Sequence, residues 1–520
     1  MSVPILIRKP VARAYDYIVV GAGSGGCAVA RRLIDGSDAT VLVIEAGPAG
    51  IGIPEIDNPA SWVPLGRGAY DWGYDYAPNG RINGRIIGIP RGKVLGGSSS
   101  INAMMWYRGD PRDYDGWAAD GAEGWSFKDV LPYFKRSEDW EGGATEWRGA
   151  GGPLRIERSP SLHPVAQAMI DGSGELGIPI IDDPNGPENE GASRANLNIA
   201  DGERWSSARG YLWPVLDNDR LTILTDALAV GLGIEGGRCV SVRYVAGGET
   251  QEIRATSGVV LALGALDTPR LLLMSGIGDP AELKRLGVDV RVGLPGVGQN
   301  LQDHPLVQAC VFHASQPLGP VKDNGGGAVV NWKSSASLQQ PDLHAFPVQG
   351  NSAEPRIREV YDLSGDVFSI GCGLMRSTSV GYMRLLSAAP GGAMEIQPNY
   401  LAETSDLDAL VVAVETMMEL AATKSHADWF GGYAAPARRP SRAEIVDYIR
   451  DACSTFFHVS GTCKMGKDDM SVVDSRLRVR GIEGLTIADA SVMPVIPSCH
   501  THAPVTMIGE RAAAFLLGTA

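Results

Sequence analysis

The 520-residue sequence has no long apolar run, no paired-cysteine motif and no cluster of basic residues. No run reaches the ~20 apolar residues of a membrane span, and the four-residue apolar patch near the start is too short for a secretory signal. The seven cysteines are odd in number and lack CxxC spacing, which argues against a disulfide framework and a zinc site. The net charge of −14 disfavours a nucleic-acid surface. We therefore expect a cytoplasmic protein with reduced thiols that binds neither nucleic acid nor a metal.

The sequence is rich in glycine, with 66 residues of this type, and its first clear pattern is a glycine turn in residues 15–47. A short apolar strand at 17–20 leads into the turn, a helix follows, and a second strand at 40–44 ends at Glu45. Such glycines permit a tight turn and close approach of a pyrophosphate to the helix N-terminus, and an acidic residue placed like Glu45 accepts hydrogen bonds from a ribose diol. The alternative is an ordinary βαβ unit. We predict a dinucleotide site that includes Gly21, Gly23, Ser24, Gly26, Glu45 and Ala46.

Two further segments indicate close contact with a ligand. Residues 47–97 lack a helical period and predict a long ordered loop, in which Trp72 either covers an adenine or fills core. Residues 90–105 place a glycine pair and a serine run before a predicted helix. Small residues allow close approach to a ligand, and the hydroxyls and Asn102 supply hydrogen bonds, although an ordinary helix cap would use the same residues.

Residues 90–105, PRGKVLGGSSSINAMM, resemble the first signature of the glucose-methanol-choline (GMC) oxidoreductases, flavoproteins that oxidise alcohols. Residues 264–278, GALDTPRLLLMSGIG, resemble the second signature, and residues 296–305 and the segment after 456 also follow the family pattern. The resemblance implies FAD, held noncovalently because Ile101 stands where some relatives attach the flavin through a histidine. It adds the following residues to the cofactor site, with Ala229 acting through its backbone near the adenine: Trp72, Arg91, Gly97, Ser98, Asn102, Ala103, Met104, Ala229, Asp489, Ala490 and His502.

The predicted fold is α/β, with a Rossmann-like FAD-binding domain and a second, α+β substrate domain built on an antiparallel sheet. The FAD-binding domain is expected to comprise residues 1–158, 213–306 and 454–520, and the substrate-binding domain residues 159–212 and 307–453. Hydrophobic periodicity predicts helices at 125–136, 406–423 and 504–517, and strands at 221–230, 239–244, 258–263, 328–332 and 343–348.

Oxidising an alcohol removes a proton from oxygen and a hydride from carbon, so the site needs a base beside a two-electron acceptor. Histidine titrates closest to neutral pH, and most of the eight histidines are expected to be structural. The resemblance identifies His458, in HVSGT, as the catalytic histidine that takes the alcohol proton. His500, in CHTHAP, stands where relatives carry asparagine or a second histidine, and would hold the oxygen or share the base role. His502 departs from the family pattern and would replace His500 only if the register shifted by two residues.

The predicted function is FAD-dependent oxidation of a small primary alcohol, aromatic or heteroaromatic and pyridoxine-like, to the aldehyde. Oxygen or another electron acceptor would reoxidise the flavin. Phe456 and Phe457, directly before His458, motivate the aromatic substrate, although both could be core. The alternatives are a choline-type dehydrogenase, a hydroxynitrile lyase-like protein with structural FAD, and a flavin-binding protein without catalysis.

Overall fold

The computed structural model describes residues 11–520, and the expectation for the apolar patch near the start concerns residues outside this range. The glycine turn follows the central strand of a seven-stranded sheet. This strand, Ala14–Val20, runs parallel to Val41–Ile44 on one side and to Glu249–Leu261 on the other. Its last three residues, Ile18, Val19 and Val20, are all buried, so both faces are covered, as expected where helices pack on a parallel sheet. The strand order is Leu221–Leu224, Val41–Ile44, Ala14–Val20, Glu249–Leu261, Arg238–Ala246 and Ala227–Glu235, with Leu485–Ile487 paired to Glu249–Leu261.

The last helix, His502–Leu517, packs directly on the first, Ser24–Gly36. The two helices approach so closely that a Cβ on Gly509 would lie 2.5 Å from the backbone oxygen of Gly25. Glu510 on the last helix is fully buried, and its carboxylate accepts hydrogen bonds of 2.6–3.0 Å from three side chains of other segments. The donors are Arg32, Arg136 and Tyr211.

A second seven-stranded sheet is antiparallel throughout. Its strand order is Phe430–Ala435, Pro305–Ala314, Val367–Leu374, Leu343–Val348, Ala328–Trp332 and Gly191–Arg194, with Cys453–Thr455 paired to Pro305–Ala314. The helix Thr404–Leu420 packs on this sheet and buries Leu410, Val414 and Met417. The α/β class and the antiparallel second sheet are thus as predicted, whereas the division into two domains stays a prediction.

Most predicted elements occur with small shifts at their ends. The strand predicted at 221–230 is divided in two, because Asp226 has a positive φ of 55° and interrupts the pairing. The helix predicted at 125–136 begins two residues later, where Ser126 and Asp129 form a capping box. The remaining α-helices are Pro54–Asp57, Trp62–Leu65, Pro111–Ala119, Phe127–Ser137, Pro164–Glu175, Gly264–Met274, Pro280–Arg285, Pro355–Val360 and Arg442–Ala452.

Short strands complete the fold. They form the pairs Tyr74–Asp75 with Gly88–Ile89, Ile199–Ala200 with Glu203–Arg204, and Ile277–Gly278 with Val292–Gly293, and the triplets Glu138–Trp140, Leu154–Arg158, Asn196–Leu197 and Gln299–Leu301, Gly381–Leu385, Met394–Gln397. Within residues 11–520, no helix has the length and hydropathy needed to cross a membrane. All seven cysteines are buried and free.

Candidate active site

The glycine turn is a close contact that leaves no room for side chains. Gly21 has a φ of +94°, and a Cβ there would lie 2.4 Å from the backbone oxygen of Ala262. A Cβ on Gly26 would lie 2.0 Å from the backbone oxygen of Gly21. The helix Ser24–Gly36 begins at this turn without a side-chain cap, so its first N–H groups are available to an anionic ligand.

Two buried carboxylates flank the turn. Glu45 accepts hydrogen bonds from two backbone N–H groups, at 2.9 and 3.0 Å, and burial raises its pKa to about 7. A ribose diol would donate further hydrogen bonds that stabilise its charged form. Asp489 accepts hydrogen bonds from the Gly264 N–H at 3.0 Å and the Thr268 hydroxyl at 2.5 Å. This second carboxylate therefore joins the C-terminal segment to the 264–278 segment beside the same turn.

The segment after the glycine pair is not the helix that the sequence predicts. It forms one short 3₁₀ turn, Gly97–Ser100, and then bends. Gly97 and Met104 both have positive φ values, of 55° and 59°, which a continuing helix does not allow. The side-chain oxygen of Asn102 accepts the Met104 N–H at 2.9 Å and holds the bend. A Cβ on Gly97 would lie 2.8 Å from the Cα of Gly23, so the segment returns to the glycine turn.

One continuous cavity of about 580 Å³ joins the glycine turn to His458 and His500. This volume lies within the ~300–1,000 Å³ typical of small-molecule sites. Two predicted site residues do not line it: Gly26 lies behind the turn, and Met104 is fully buried. The remaining predicted cofactor residues all line the cavity: Gly21, Gly23, Ser24, Glu45, Ala46, Trp72, Arg91, Gly97, Ser98, Asn102, Ala103, Ala229, Asp489, Ala490 and His502.

The backbone before His458 is held in an unusual conformation. Phe457 has a φ of +64°, which costs a bulky residue ~1–3 kcal/mol and persists only where surrounding contacts fix it. Its N–H donates to the Thr455 hydroxyl at 2.7 Å, and its carbonyl accepts a hydrogen bond from the Arg91 guanidinium. The N–H of His458 itself donates to the Asp303 carboxylate at 2.8 Å. These contacts aim the His458 ring into the cavity.

His500 lies opposite His458 on a loop that a helix N-terminus holds in place. The backbone N–H and the hydroxyl of Ser498 donate to one carboxylate oxygen of Asp113, at 2.8 and 2.6 Å. The other oxygen of Asp113 accepts a hydrogen bond from Gln340 at 2.8 Å. The loop brings Nδ1 of His500 to 3.2 Å from Nε2 of His458.

Two histidines that the sequence interpretation left without a role extend this contact. Nδ1 of His304 lies 2.9 Å from Nδ1 of His458, and Nε2 of His344 lies 3.2 Å from Nε2 of His500. We call His304, His458, His500 and His344 the histidine row. His304 had a signal, because it belongs to the family-like segment 296–305. His344 had none, because it lies in an apolar strand on another part of the chain.

Burial keeps the histidine row uncharged. It lowers the pKa of His304 and of His500 to about 3, and it lowers the pKa of His458 and of His344 well below the usual value. Any positive charge on His500 further disfavours charge on its neighbours. At neutral pH each ring therefore has one N–H and one lone pair, and can accept a proton.

His502 has a different position. Its Nε2 lies 3.1 Å from the Ser207 hydroxyl, and its ring meets Trp106 edge-on at 5.2 Å. It is the first residue of the last helix, and burial lowers its pKa to about 3. His500, rather than His502, is the residue in contact with His458.

Known proteins resemble this chain along nearly its whole length. The models of the GMC oxidoreductase family match residues 15–306 and 377–509. The oxygen-dependent choline dehydrogenase of Brucella anthropi is 38% identical over 97% of this chain and 95% of its own length, and the mitochondrial choline dehydrogenase of Homo sapiens is 37% identical over 97% and 90%. The solved structure of pyridoxine 4-oxidase from Mesorbium loti superposes with a TM-score of 0.91 at 32% identity, covering 96% of this chain and 98% of that one.

Proposed function

Because this chain belongs to the GMC oxidoreductase family, we propose that it oxidises a small primary alcohol bearing an aromatic or heteroaromatic group to the aldehyde. The chain is an FAD-dependent oxidoreductase acting on a CH–OH donor, and the alcohol is the part we propose. One observation supports alcohol oxidation at this site above the others. The His458–His500 contact lies in the same cavity as the glycine turn, so base and cofactor meet in one space.

The residues around the cavity fit FAD. The glycine turn and the N-terminus of Ser24–Gly36 would hold the pyrophosphate, and the buried carboxylate of Glu45 would bind the ribose. Ile101 has no nucleophilic atom for a covalent link at the position that some relatives use. When bound, the flavin supplies the acceptor for the hydride that leaves the alcohol carbon.

In the reaction, the protein's own side chains accept the hydroxyl proton of the alcohol and hold the alcohol oxygen. An alcohol oxygen placed against the His458–His500 pair contacts two neutral imidazoles, of which one receives its proton and the other donates a hydrogen bond to the oxygen. The developing negative charge on that oxygen is stabilised most where water is excluded, and the 6% exposure of His458 meets this condition. The pair therefore combines a base with a hydrogen-bond donor for the oxygen.

The wall beside the pair is aromatic. The Phe456 ring stacks on the His458 ring, with 5.4 Å between centroids and 11° between planes. Phe346 packs against Phe456 at 5.8 Å, and both line the cavity with Leu306 and Met105. Because an aromatic contact adds ~0.5–1.5 kcal/mol beyond its buried area, this wall favours a substrate with a ring.

A choline-type substrate is the second candidate, because the curated relatives named above are choline dehydrogenases. A quaternary ammonium is recognised by aromatic faces and a carboxylate. Four carboxylates line the cavity, and Glu45, Asp267 and Asp489 already have hydrogen-bond donors. The fourth, Glu354, lies 3.7 Å from Arg85, and burial raises its pKa. Since each of these carboxylates already has a partner, we rank an uncharged aromatic alcohol above choline as the substrate.

A matched alcohol panel tests the proposal. Benzyl alcohol, cyclohexylmethanol and choline are mixed without oxygen with the FAD-loaded protein, and the flavin absorbance is followed. Benzyl alcohol should bleach the flavin at the lowest concentration, about 2- to 10-fold below cyclohexylmethanol, which has a saturated ring of similar size without the aromatic π system. Faster bleaching by choline would favour the second candidate, and a flavin that no alcohol bleaches would refute both. Readmitting air and measuring peroxide then identifies whether oxygen is the acceptor.

A further inference from the structure

The strand that carries Leu306 continues past the aromatic wall and presents a polar side chain to the same cavity. Leu306 lies opposite Ser454 in an antiparallel pair, and Phe456 follows two residues after Ser454. Leu306 and Gln308 both line the cavity. Side chains two positions apart on a strand share one face and lie ~7 Å apart. Because the pair is antiparallel, Gln308 lies beyond Leu306 on the side away from Phe456 and the histidine pair.

The segment 352–354 lies beside this part of the strand, and two contacts fix its position. At one end, the N–H of Ser352 donates at 3.1 Å to the hydroxyl of Ser369, whose strand pairs with the strand of Gln308. At the other end, the carboxylate of Glu354 contacts the hydroxyl of Ser454. Ser352 and Glu354 both line the cavity. The segment therefore brings two more polar side chains to the end of the cavity where Gln308 lies.

Two of these polar groups have hydrogen-bonding capacity that the protein does not use. The side-chain amide of Gln308 makes no hydrogen bond to any residue in the range 11–520. The hydroxyl oxygen of Ser352 is buried and has no partner among the same residues. Buried polar groups are normally hydrogen-bonded, and leaving one without a partner costs free energy. Both groups are thus available to a molecule that occupies the cavity.

The charges around Glu354 indicate which chemical group fits here. Arg85 lies 3.7 Å from its carboxylate, and Arg358, which lines the cavity, is a second positive neighbour. A cationic group on the substrate would face these two guanidinium groups, and an anionic group would face the carboxylate. A hydroxyl group can donate to a carboxylate or amide oxygen and accept from an amide N–H or a second hydroxyl. An uncharged hydroxyl therefore matches the whole set.

We propose that Gln308, Ser352 and Glu354 form a hydroxyl subsite, which binds a second hydroxyl group of the substrate across the ring from the CH₂OH group that is oxidised. This inference rests on the proposed function. The reacting CH₂OH group lies against the histidine pair, the ring lies along the aromatic wall, and the second hydroxyl reaches the hydroxyl subsite. The preferred substrate is thus an aromatic alcohol with two hydroxyl groups at opposite ends of the molecule.

Three small alcohols test this preference. 1,4-Benzenedimethanol and 4-methylbenzyl alcohol differ only in the second hydroxyl, and 1,2-benzenedimethanol carries that hydroxyl beside the first. Each is mixed without oxygen with the FAD-loaded protein, and the rate constant of flavin reduction is divided by the apparent dissociation constant. One net hydrogen bond corresponds to roughly 2- to 12-fold in binding. After correction for its two equivalent CH₂OH groups, the 1,4-diol should exceed the methyl compound by about 5- to 10-fold, whereas the 1,2-diol should show no such gain.

Substitutions then locate the preference in the hydroxyl subsite. Gln308→Leu removes the amide with little change in size, and Ser352→Ala removes the hydroxyl. Each should lower the ratio of 1,4-diol to methyl compound by at least about threefold. Gln316→Leu is the matched control, because it makes the same substitution at an exposed position just after the same strand, and it should keep the wild-type ratio. Since the ratio is taken within each protein, a general loss of activity cancels.

The outcomes separate the subsite from the reaction. A wild-type ratio near one, a wild-type ratio retained in Gln308→Leu, or an equal fall in Gln316→Leu would overturn the hydroxyl subsite. If no alcohol bleaches the wild-type flavin, the proposed function fails, and the relative affinities of the 1,4-diol and the methyl compound, measured from their perturbation of the flavin spectrum, then decide the subsite. Retained flavin absorbance and an unchanged thermal midpoint establish that each variant is folded.

Discussion

Asp303 is the residue whose loss should most disturb the site without removing any group that touches substrate. Its carboxylate accepts the N–H of His458 at 2.8 Å and its neighbour's N–H at 2.9 Å. It also accepts three hydroxyl hydrogen bonds of 2.5–2.6 Å, and it is 2% exposed. The hydroxyl donors come from three separate segments: Tyr76, Tyr400 and Thr455.

The magnitude follows from the charge that Asp303 supplies. Burial lowers the pKa of Arg91, and the Asp303 carboxylate is the main group that opposes this shift. In Asp303→Asn the shape is preserved, but Arg91 loses this nearby negative charge and the new amide NH₂ leaves buried donors without an acceptor, which costs ~1–3 kcal/mol. Since 1 kcal/mol corresponds to roughly 2–4 °C in a domain of 150–250 residues, the thermal midpoint should fall by roughly 2–12 °C.

The assay is the thermal midpoint of the FAD-loaded protein, with flavin reduction as a second readout. Tyr400→Phe is the matched control, since it removes one hydroxyl and leaves the charge, and should cost only ~1–2 kcal/mol. In the double variant with Arg91→Met, the loss from Asp303→Asn should shrink by at least ~0.5 kcal/mol, because the positive charge that the Asp303 carboxylate stabilises is absent. If Asp303→Asn melts within 1–2 °C of wild type and reduces its flavin normally, the reasoning is wrong.

Three further outcomes follow from the site. His458→Asn and His500→Asn should each slow anaerobic flavin reduction by at least about 100-fold while FAD stays bound, whereas His163→Asn, at a helix start away from the cavity, should not. Glu45 has a pKa of about 7 without FAD, and ribose hydrogen bonds would lower it, so FAD binding must release a proton below pH 7. Titrating FAD-free protein should therefore show weaker binding at pH 6 than at pH 8, and Glu45→Gln should bind more weakly and lose this pH dependence. Gly26→Ala places a Cβ 2.0 Å from a backbone oxygen and should abolish FAD retention, measured by flavin absorbance after gel filtration, while Gly80→Ala, with open space around it, should retain FAD.

The parts of the site that could be predicted are those encoded by contiguous residues. The glycine turn and Glu45 lie within one βαβ unit, where local chemistry and the resemblance to a known family both apply. The helix predicted after the serine run was wrong because the positive φ of Gly97 and Met104 is imposed by contact with the glycine turn. The residue pattern within one segment carries no information about its contact with a distant segment.

His344 could not be predicted for a related reason. It lies in a strand in which every residue is buried, and its pattern indicates core. It joins the histidine row only because the second sheet brings it to 3.2 Å from His500, which is 156 residues later in the chain. The contact of His344 with the row thus depends on pairing between strands rather than on any motif.

The packing of the last helix against the first has a consequence for how the protein is made. During synthesis the glycine turn leaves the ribosome early, but the strand Leu485–Ile487 and the helix His502–Leu517 complete the sheet and its cover. Until they emerge, Gly25 and Arg32 lack their contacts with the last helix, and neither His458 nor His500 is in place. The nascent chain therefore carries an unfinished cofactor fold through most of translation. A chain truncated before residue 485 should therefore fail to retain its cofactor, because it lacks the last strand of the sheet and the helix that covers it.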